Sequence, residues 1–476
     1  MGKLSKIVSL LLLVCLLAGC AAVVYYQRST YVSVGDIRYR RDTAQLSISG
    51  NLPRDLTELT RLEKLQLLDL RNCSVSCEEY EELCRVLPRC QIVWNVPFQG
   101  SLLSMDTEEL TVSTLLPPDI LALNYFPRLG IVHAERCTDF SQVQELLFLR
   151  PDLDIRYRVP LNGQWVDHDA TELTIANGDI PEMLDTFPYL PGLTRVTLTG
   201  TLPDADQLRD FTARYPHIEF YWQVDYLDRT LDVHTTELDL SGIRIDSPEE
   251  LEAAVAYLPR LEKVLMLGCG LSDEEMAQLN ARHESVLFVW EVKLTDHLSV
   301  RSDITIFAPV LLNTEVWGNQ LEKLKYCTEL QIIDLGHMKI TDCEFLRTMT
   351  KLEYLILADT RVQDLSPMEN LKSLRYLEIF MTPVSDYSPL VHCTALEDLN
   401  LGLTFGAPEP LMQMPWLKRL WWAAHDMTDQ QVAQLQAALP DTQIVFPTYG
   451  STGSGWREGY LYYQMRDMMG LPYMTE

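Results

Sequence analysis

His283-Glu284-Ser285-Val286-Leu287 opens like a zinc-protease helix, in which two imidazoles one turn apart hold the metal and the glutamate acts as base. Leucine stands where the second imidazole belongs, so that chemistry is excluded. Gly450 and Gly455 have the glycine spacing of a phosphate-binding loop, but Trp456-Arg457 follow in place of Lys-Ser/Thr. The loop therefore lacks its phosphate lysine and its magnesium ligand. Asp167-His168-Asp169 offers three metal-ligand types in a row. Its counterparts, Arg41-Asp42 and Val233-His234, stand at turns before strands, so it reads as a solvated turn. Cys77 and Cys84 lie seven apart on an expected helix, about 10 Å along its axis, too far for a disulfide without distortion. Cys73, Cys137 and Cys269 recur at strand ends, where a small polar side chain satisfies backbone groups, and Cys90 aligns with Leu153, Ile218 and Val286 as a core thiol. With no CxxC pair the thiols are too sparse for a disulfide framework and read as structural; a disulfide among Cys73, Cys77, Cys84 and Cys90, or a zinc site on them, is the alternative. The expectation is no catalytic residue, no metal and no cofactor.

What remains is recognition chemistry, and it lies in a repeat. Leu330, Leu352, Leu374, Leu396 and Leu417 open successive lines of 22, 22, 22 and 21 residues. Within a line, apolar residues hold places 1, 4 and 6, while places 3 and 5 vary. Place 3 reads Ile332, Tyr354, Tyr376, Asp398, Arg419. Place 5 reads Asp334, Ile356, Glu378, Asn400, Trp421, and places 7 and 8 add Phe380, Met381 and Ala423. Stacked strands turn these places into two ladders on the concave face. Aromatic rings beside carboxylates and an arginine, where the fold does not demand apolar residues, are the composition of a binding hot spot. Asp334, Tyr354, Ile356, Tyr376, Glu378, Phe380, Arg419 and Trp421 are the candidate ligand-binding residues. Alternatively, ladder residues pack on one another, or the C-terminal segment covers them.

The positioning elements follow from two periods. The frame L-x-x-L-x-L-x-x-T-x-V/I-x-D-x-x-P-L resembles the short, internalin-like leucine-rich repeat. "LGHMKITDCEFL", "LILADTRVQDLSPM", "LEIFMTPVSDYSPL" and the closing "GWREGYLYYQMRDMMG" are similar to exported repeat proteins of Gram-positive, clostridial type. That resemblance covers about 320–470. It implies membrane attachment and an extracytoplasmic repeat domain, and no established activity. Phe405-Gly406-Ala407-Pro408 departs from the frame, which predicts a local irregularity.

A longer period precedes it. Trp94, Tyr157, Trp222 and Trp290 close modules of 63, 65 and 68 residues, and "TEELTV" (107–112), "TELTI" (171–175) and "TELDL" (236–240) recur in step. In the module that ends at Trp290 the pattern predicts strand 236–240, helix 248–257, strand 262–267, helix 273–282 and strand 286–292. Leu129, Leu193 and Leu261 keep the spacing of the shorter repeat, so these modules read as degenerate leucine-rich repeats with an added strand. The expected class is α/β: a leucine-rich repeat solenoid with a curved parallel sheet and helices or extended turns on its convex side. The expected divisions are a leader 1–26, four long modules over 32–293, a transition segment 294–329, short repeats 330–446, and a linker with a C-terminal cap over 447–476. The cap, Trp456–Met469, carries Tyr460, Leu461, Met465, Met468 and Met469 at helical spacing and is expected to cover the exposed core edge.

Composition sets the surroundings. The 476 residues are 47% hydrophobic and carry a formal net charge of −28, which excludes phosphate-backbone binding and hence nucleic acid as a partner. Lys3 and Lys6 precede an apolar run, and Leu17-Ala18-Gly19-Cys20 resembles a bacterial lipobox with Cys20 as the lipidated residue. Ile7–Tyr26 is also about 30 Å of helix, enough for an uncleaved signal anchor. Either way the positive-inside rule places the rest on the outer face of the cytoplasmic membrane. The expected activity is non-enzymatic binding of a protein of the cell surface or envelope. A wall glycan also fits, since aromatic ladders stack on sugars. A scaffold or spacer without a single ligand is the alternative.

Overall fold

The computed structural model describes residues 2–309, 320–422, 427–446 and 454–473, without the side chains of 2–11 and 28. Ala423, most of the Gly450–Gly455 linker and part of the transition segment lie outside the described residues. The chain divides into two compact units, Met1–Gln223 and Val224–Glu476. The fourth long module therefore groups with the short repeats rather than with the other long modules.

The first unit begins with a helix, Gly2–Thr30, followed by a hairpin of Tyr31–Val34 with Ile37–Arg40. Three modules follow on one plan. Each has three parallel strands in sequence order, with helical segments between them. The first is Gln45–Gly50, Leu67–Cys73 and Gln91–Val93; the third is Glu172–Ala176, Arg195–Thr199 and Glu219–Tyr221. Helix starts are specified locally. Ser76 accepts from the Glu79 amide while Glu79 reaches back to the Ser76 amide, a reciprocal cap that satisfies two otherwise orphaned donors.

One expectation is corrected here. The long modules do not share a continuous parallel sheet. Each three-stranded sheet is followed by an antiparallel hairpin, as in Asn95–Phe98 with Ser101–Ser104 and Arg158–Leu161 with Gln164–Asp167. In the second unit the strand expected over 286–292 likewise splits. Leu287–Val289 closes the parallel sheet, and Glu291–Lys293 opens a hairpin with Ser299–Arg301. The closing aromatic residue sits at the break. Trp290 is buried, its carbonyl accepts from the Ser302 amide, its amide donates to the Ser302 hydroxyl, and its indole N–H donates to Asp273 at 2.9 Å. A ring wedged there, with both its backbone groups committed to the hairpin, is what stops the sheet.

The short repeats of the second unit form one seven-stranded parallel sheet, running Ile306–Phe307, Ile332–Asp334, Tyr354–Ile356, Tyr376–Glu378, Asp398–Asn400, Arg419–Trp421 and Gln443–Val445. Short 3-10 turns, such as Glu344–Thr348 and Ser388–His392, lie between its strands. Leu330, Leu352, Leu374, Leu396 and Leu417 are at most 2% exposed and belong to one apolar core with Ile333, Leu355, Leu377, Leu399 and Leu420. One repeat cannot bury that face alone, so the frame is fixed by stacking.

The remaining frame places have local reasons. At place 9 the hydroxyls of Thr360, Thr382 and Thr404 are buried and donate to the carbonyls of Leu357, Ile379 and Leu401 at 2.6–2.7 Å. In the long modules Cys73 and Cys269 at the same place donate to the Ile48 and Leu240 carbonyls at 3.1 Å. Gly406 replaces the buried Val362 and Val384 of earlier repeats. The Tyr387 ring fills the vacated space, with its hydroxyl bonded to Thr404 and to the Gly406 amide.

Candidate concave binding face

The two ladders line up in register as expected. Ile332, Tyr354, Tyr376, Asp398 and Arg419 form one, and Asp334, Ile356, Glu378, Asn400 and Trp421 the other. The face they share is not open. Tyr354, Ile356, Tyr376, Glu378, Phe380 and Trp421 are buried, and Asp334 and Arg419 are partly exposed. The helix Tyr460–Met469 and the turn Trp456–Glu458 before it lie over the sheet. Trp456, Leu461, Tyr462, Met465 and Met469 form a second apolar core with Ile332, Tyr354, Tyr376 and Trp421. The cap thus covers a face rather than an edge. Tyr460 and Met468, read from spacing as part of its apolar side, are exposed instead, and Tyr462 takes the inward place.

Trp456 is the centre of the contact. Its ring is fully buried, 5.2 Å from Tyr376 and 5.3 Å from Trp421 between centroids. Its indole N–H donates to Glu378 at 2.5 Å, and the Tyr376 hydroxyl donates to the same carboxylate oxygen. Burial pushes the Glu378 carboxyl above the usual carboxylate range, while these two donors and the Arg457 charge oppose the shift. Burial raises Asp398 and Asp334 in the same sense, opposed by Arg419 at Asp398 and by the Gly336 amide at Asp334.

Arg419 is the second anchor. It donates to Asp398 at 2.9 Å and, through its other terminal nitrogen, to the carbonyls of Gly455 and Trp456 at 2.9 and 2.8 Å. Its guanidinium stacks over Trp421 and Trp456 at 4.7 and 5.0 Å. A β-carbon added at Gly459 would coincide with that guanidinium and stand 3.1 Å from an Asp398 oxygen. Gly455 holds a φ of 84°, a left-handed conformation that glycine adopts without strain. Chemically, the face grips a polypeptide through one indole, two main-chain carbonyls and an apolar helix side.

The residues that complete this site, Trp456, Gly455 and Gly459, were not among the eight candidates. The sequence held a signal for them: an acidic and aromatic face at 332–421, and a C-terminal segment with aromatics and the cations Arg457 and Arg466. Only contact pairs them. The other motifs resolve as structural. His283 caps the helix Asp273–Arg282 and meets Glu252 at 3.0 Å, Asp167 pairs with Arg158, and the His168 ring packs on Tyr157. The cysteines are free, with Cys73, Cys137, Cys269, Cys327, Cys343 and Cys393 buried, Cys90 half-buried and Cys84 exposed. Among the described residues no group of side chains is arranged to hold a metal ion.

No protein-family model matches the sequence, and no curated protein is similar enough to match. Solved structures do match. An internalin of Listeria monocytogenes is 13% identical over 87% of this chain and 91% of its own, with a TM-score of 0.26. An internalin C2 of the same organism is 20% identical over 45% of this chain and 74% of its own, with a TM-score of 0.21. A leucine-rich repeat protein of Leptospira interrogans is 16% identical over 85% and 96%, with a TM-score of 0.26. With TM-scores this low, the repeat architecture rests on the chain's own register and burial.

Proposed function

We propose that this chain is a membrane-tethered, extracytoplasmic leucine-rich repeat protein that binds a protein partner, without catalysis, through the concave face of its short repeats. One observation carries the reading: that face already accommodates a polypeptide, with Arg419 holding two main-chain carbonyls and Glu378 an indole N–H. Main-chain carbonyl recognition favours a protein over a wall glycan. The tether is the helix Gly2–Thr30, whose described part exposes Leu12, Leu13, Leu16, Leu17, Val23 and Val24, with Cys20 exposed among them. Counting the described residues alone, no helix is long and apolar enough to cross a membrane. A lipid on Cys20 supplies anchoring without a crossing.

A scaffold or spacer is the second reading, favoured by the face being filled. Photo-cross-linking in intact cells separates them. Probes replace Tyr460 and Met381, both exposed in the short-repeat unit, and Phe148, which is 84% exposed in the first unit. A discrete protein adduct from 460 and 381 but not from 148 is the expected outcome. Equal adducts at all three positions support the scaffold, and no adduct at any removes the binding reading. The mass of the mature N-terminus tests the tether: a diacylglyceryl Cys20 or an intact Met1 is expected, and a chain trimmed past Tyr26 would end it.

A further inference from the structure

The cap meets the sheet through contacts specific to its own sequence. Gly455 turns left-handed and delivers Trp456 into a slot between Tyr376 and Trp421. Glu378 sits at the end of that slot as a hydrogen-bond acceptor for an indole. Three residues on, Gly459 passes so close to Arg419 that any side chain would displace the guanidinium. These requirements are independent of one another, and together they spell Gly-Trp-x-x-Gly followed by a helix with one apolar side. A capping role needs only apolar cover; it does not need an indole acceptor, a carbonyl fork and a glycine-only passage.

The docking also leaves groups unsatisfied. Six buried side-chain polar atoms among the described residues have no hydrogen-bond partner, and four belong to the cap and the face below it: the hydroxyls of Tyr354 and Tyr462, Nε of Arg457 and Oε1 of Gln464. Buried orphans weaken a contact. Glu378 and Asp398 are buried and Asp334 partly so at the same place, faced by Arg419 and Arg457, with Arg466 also acting on Asp334. The cap fits in sequence-specific detail but not to completion, which is the condition for exchange.

We infer that the concave face is a receptor site for Gly-Trp-x-x-Gly followed by an amphipathic helix, that residues 454–473 occupy it in cis, and that the partner presents the same motif and takes their place. This rests on the reading of the face as a protein-binding surface. The motif is narrower than that reading and can fail while cross-linking still marks the face.

The test uses the full-length chain and a fluorescent synthetic peptide of residues 454–473. Gly459→Ala in the chain weakens the cis cap and substitutes no residue of the sheet. The altered chain should bind the wild-type peptide at least about 10-fold more tightly than the wild-type chain does, because a docked cis segment lowers apparent affinity by the fraction of molecules that are open. A peptide carrying Gly459→Ala should bind neither chain, and adding Arg419→Lys to the altered chain should abolish the gain. Hydrogen exchange at Tyr460–Met469 reports whether the cap was released. Trp456→Phe, which keeps the ring but not the bond to Glu378, is the parallel variant should Gly459→Ala impair folding. Faster exchange in the cap without gain in peptide affinity overturns the inference. So does equal binding of the wild-type and Gly459→Ala peptides.

Discussion

Two parallel sheets in this chain are built alike and buried differently. In the first unit, Glu172–Ala176 and Arg195–Thr199 alternate: Ile175, Val196 and Leu198 are buried, while Glu172, Thr174, Arg195 and Thr199 are exposed. In the second, Tyr354–Ile356, Tyr376–Glu378 and Asp398–Asn400 are buried at every residue. In both, an arginine pairs with a carboxylate on an adjacent strand. Arg195 meets Glu172 and Glu219 at 3.1 Å with all three exposed. Arg419 meets Asp398 at 2.9 Å with side chains only 14% and 5% exposed. The strand pattern does not separate these fates. A segment some 35 residues beyond Arg419 does, by removing one face from water.

The largest expected effect comes from taking away the centre of that cover. Trp456→Ala should cost about 3–5 kcal/mol in denaturant unfolding of the second unit, from lost burial and from removing one of the two donors to Glu378. Thr174→Ala on the open sheet should stay within about 0.5 kcal/mol. Equal costs at the two positions would break the comparison. The arginines give the next contrast. Arg419→Ala strands Asp398 and should cost about 3–5 kcal/mol. Arg195→Ala removes only exposed pairs and should leave the unfolding midpoint nearly unchanged.

A pH series sharpens the comparison further. Glu378 titrates higher in the folded chain than in the unfolded one, so the folded state takes up the proton. Its contribution is most favourable below the ordinary carboxylate value of about 4.3 and declines as pH rises through the raised value. Stability should therefore fall over that window by at most about 1.4 kcal/mol per pH unit for this group. Glu378→Gln should flatten the decline, leaving the same-sign parts from Asp334 and Asp398. A slope unchanged in Glu378→Gln would mean that the carboxylate is not covered.

The smallest effect concerns the turn after each strand. Gly200 and Gly268 take positive φ at place 8 in long modules, whereas His337, Asp359, Met381 and Leu403 take it in the short repeats. Non-glycine residues are strained there. Met381→Asn, at a side chain already 46% exposed, should raise stability by about 0.5–1 kcal/mol in the same unfolding assay.

The legible part of the fold was the periodic part. Places 1, 4 and 6 are apolar because each must enter a shared core, and that demand repeats at every line. The capping boxes of Ser272 with Glu275 and of Thr428 with Gln431 were found only in the structure, although each has the local spacing S/T-x-x-E/Q. The hairpins were not, because two extended segments read as one long strand until Trp290 is seen to break the pairing. The eight candidate residues lie in or beside the two ladders, yet their solvent exposure was not theirs to specify.

The sequence by itself determined the register. Leucines 22 residues apart lose their burial if any strand slips by one place, so local spacing fixes which side chains share a core and which share a ladder. Whether the ladder meets water, a partner or the chain's own end was decided only in three dimensions. Arg419 and Gly459 are 40 positions apart, and no period relates them. Their fit depends on a guanidinium lying where a side chain would otherwise be.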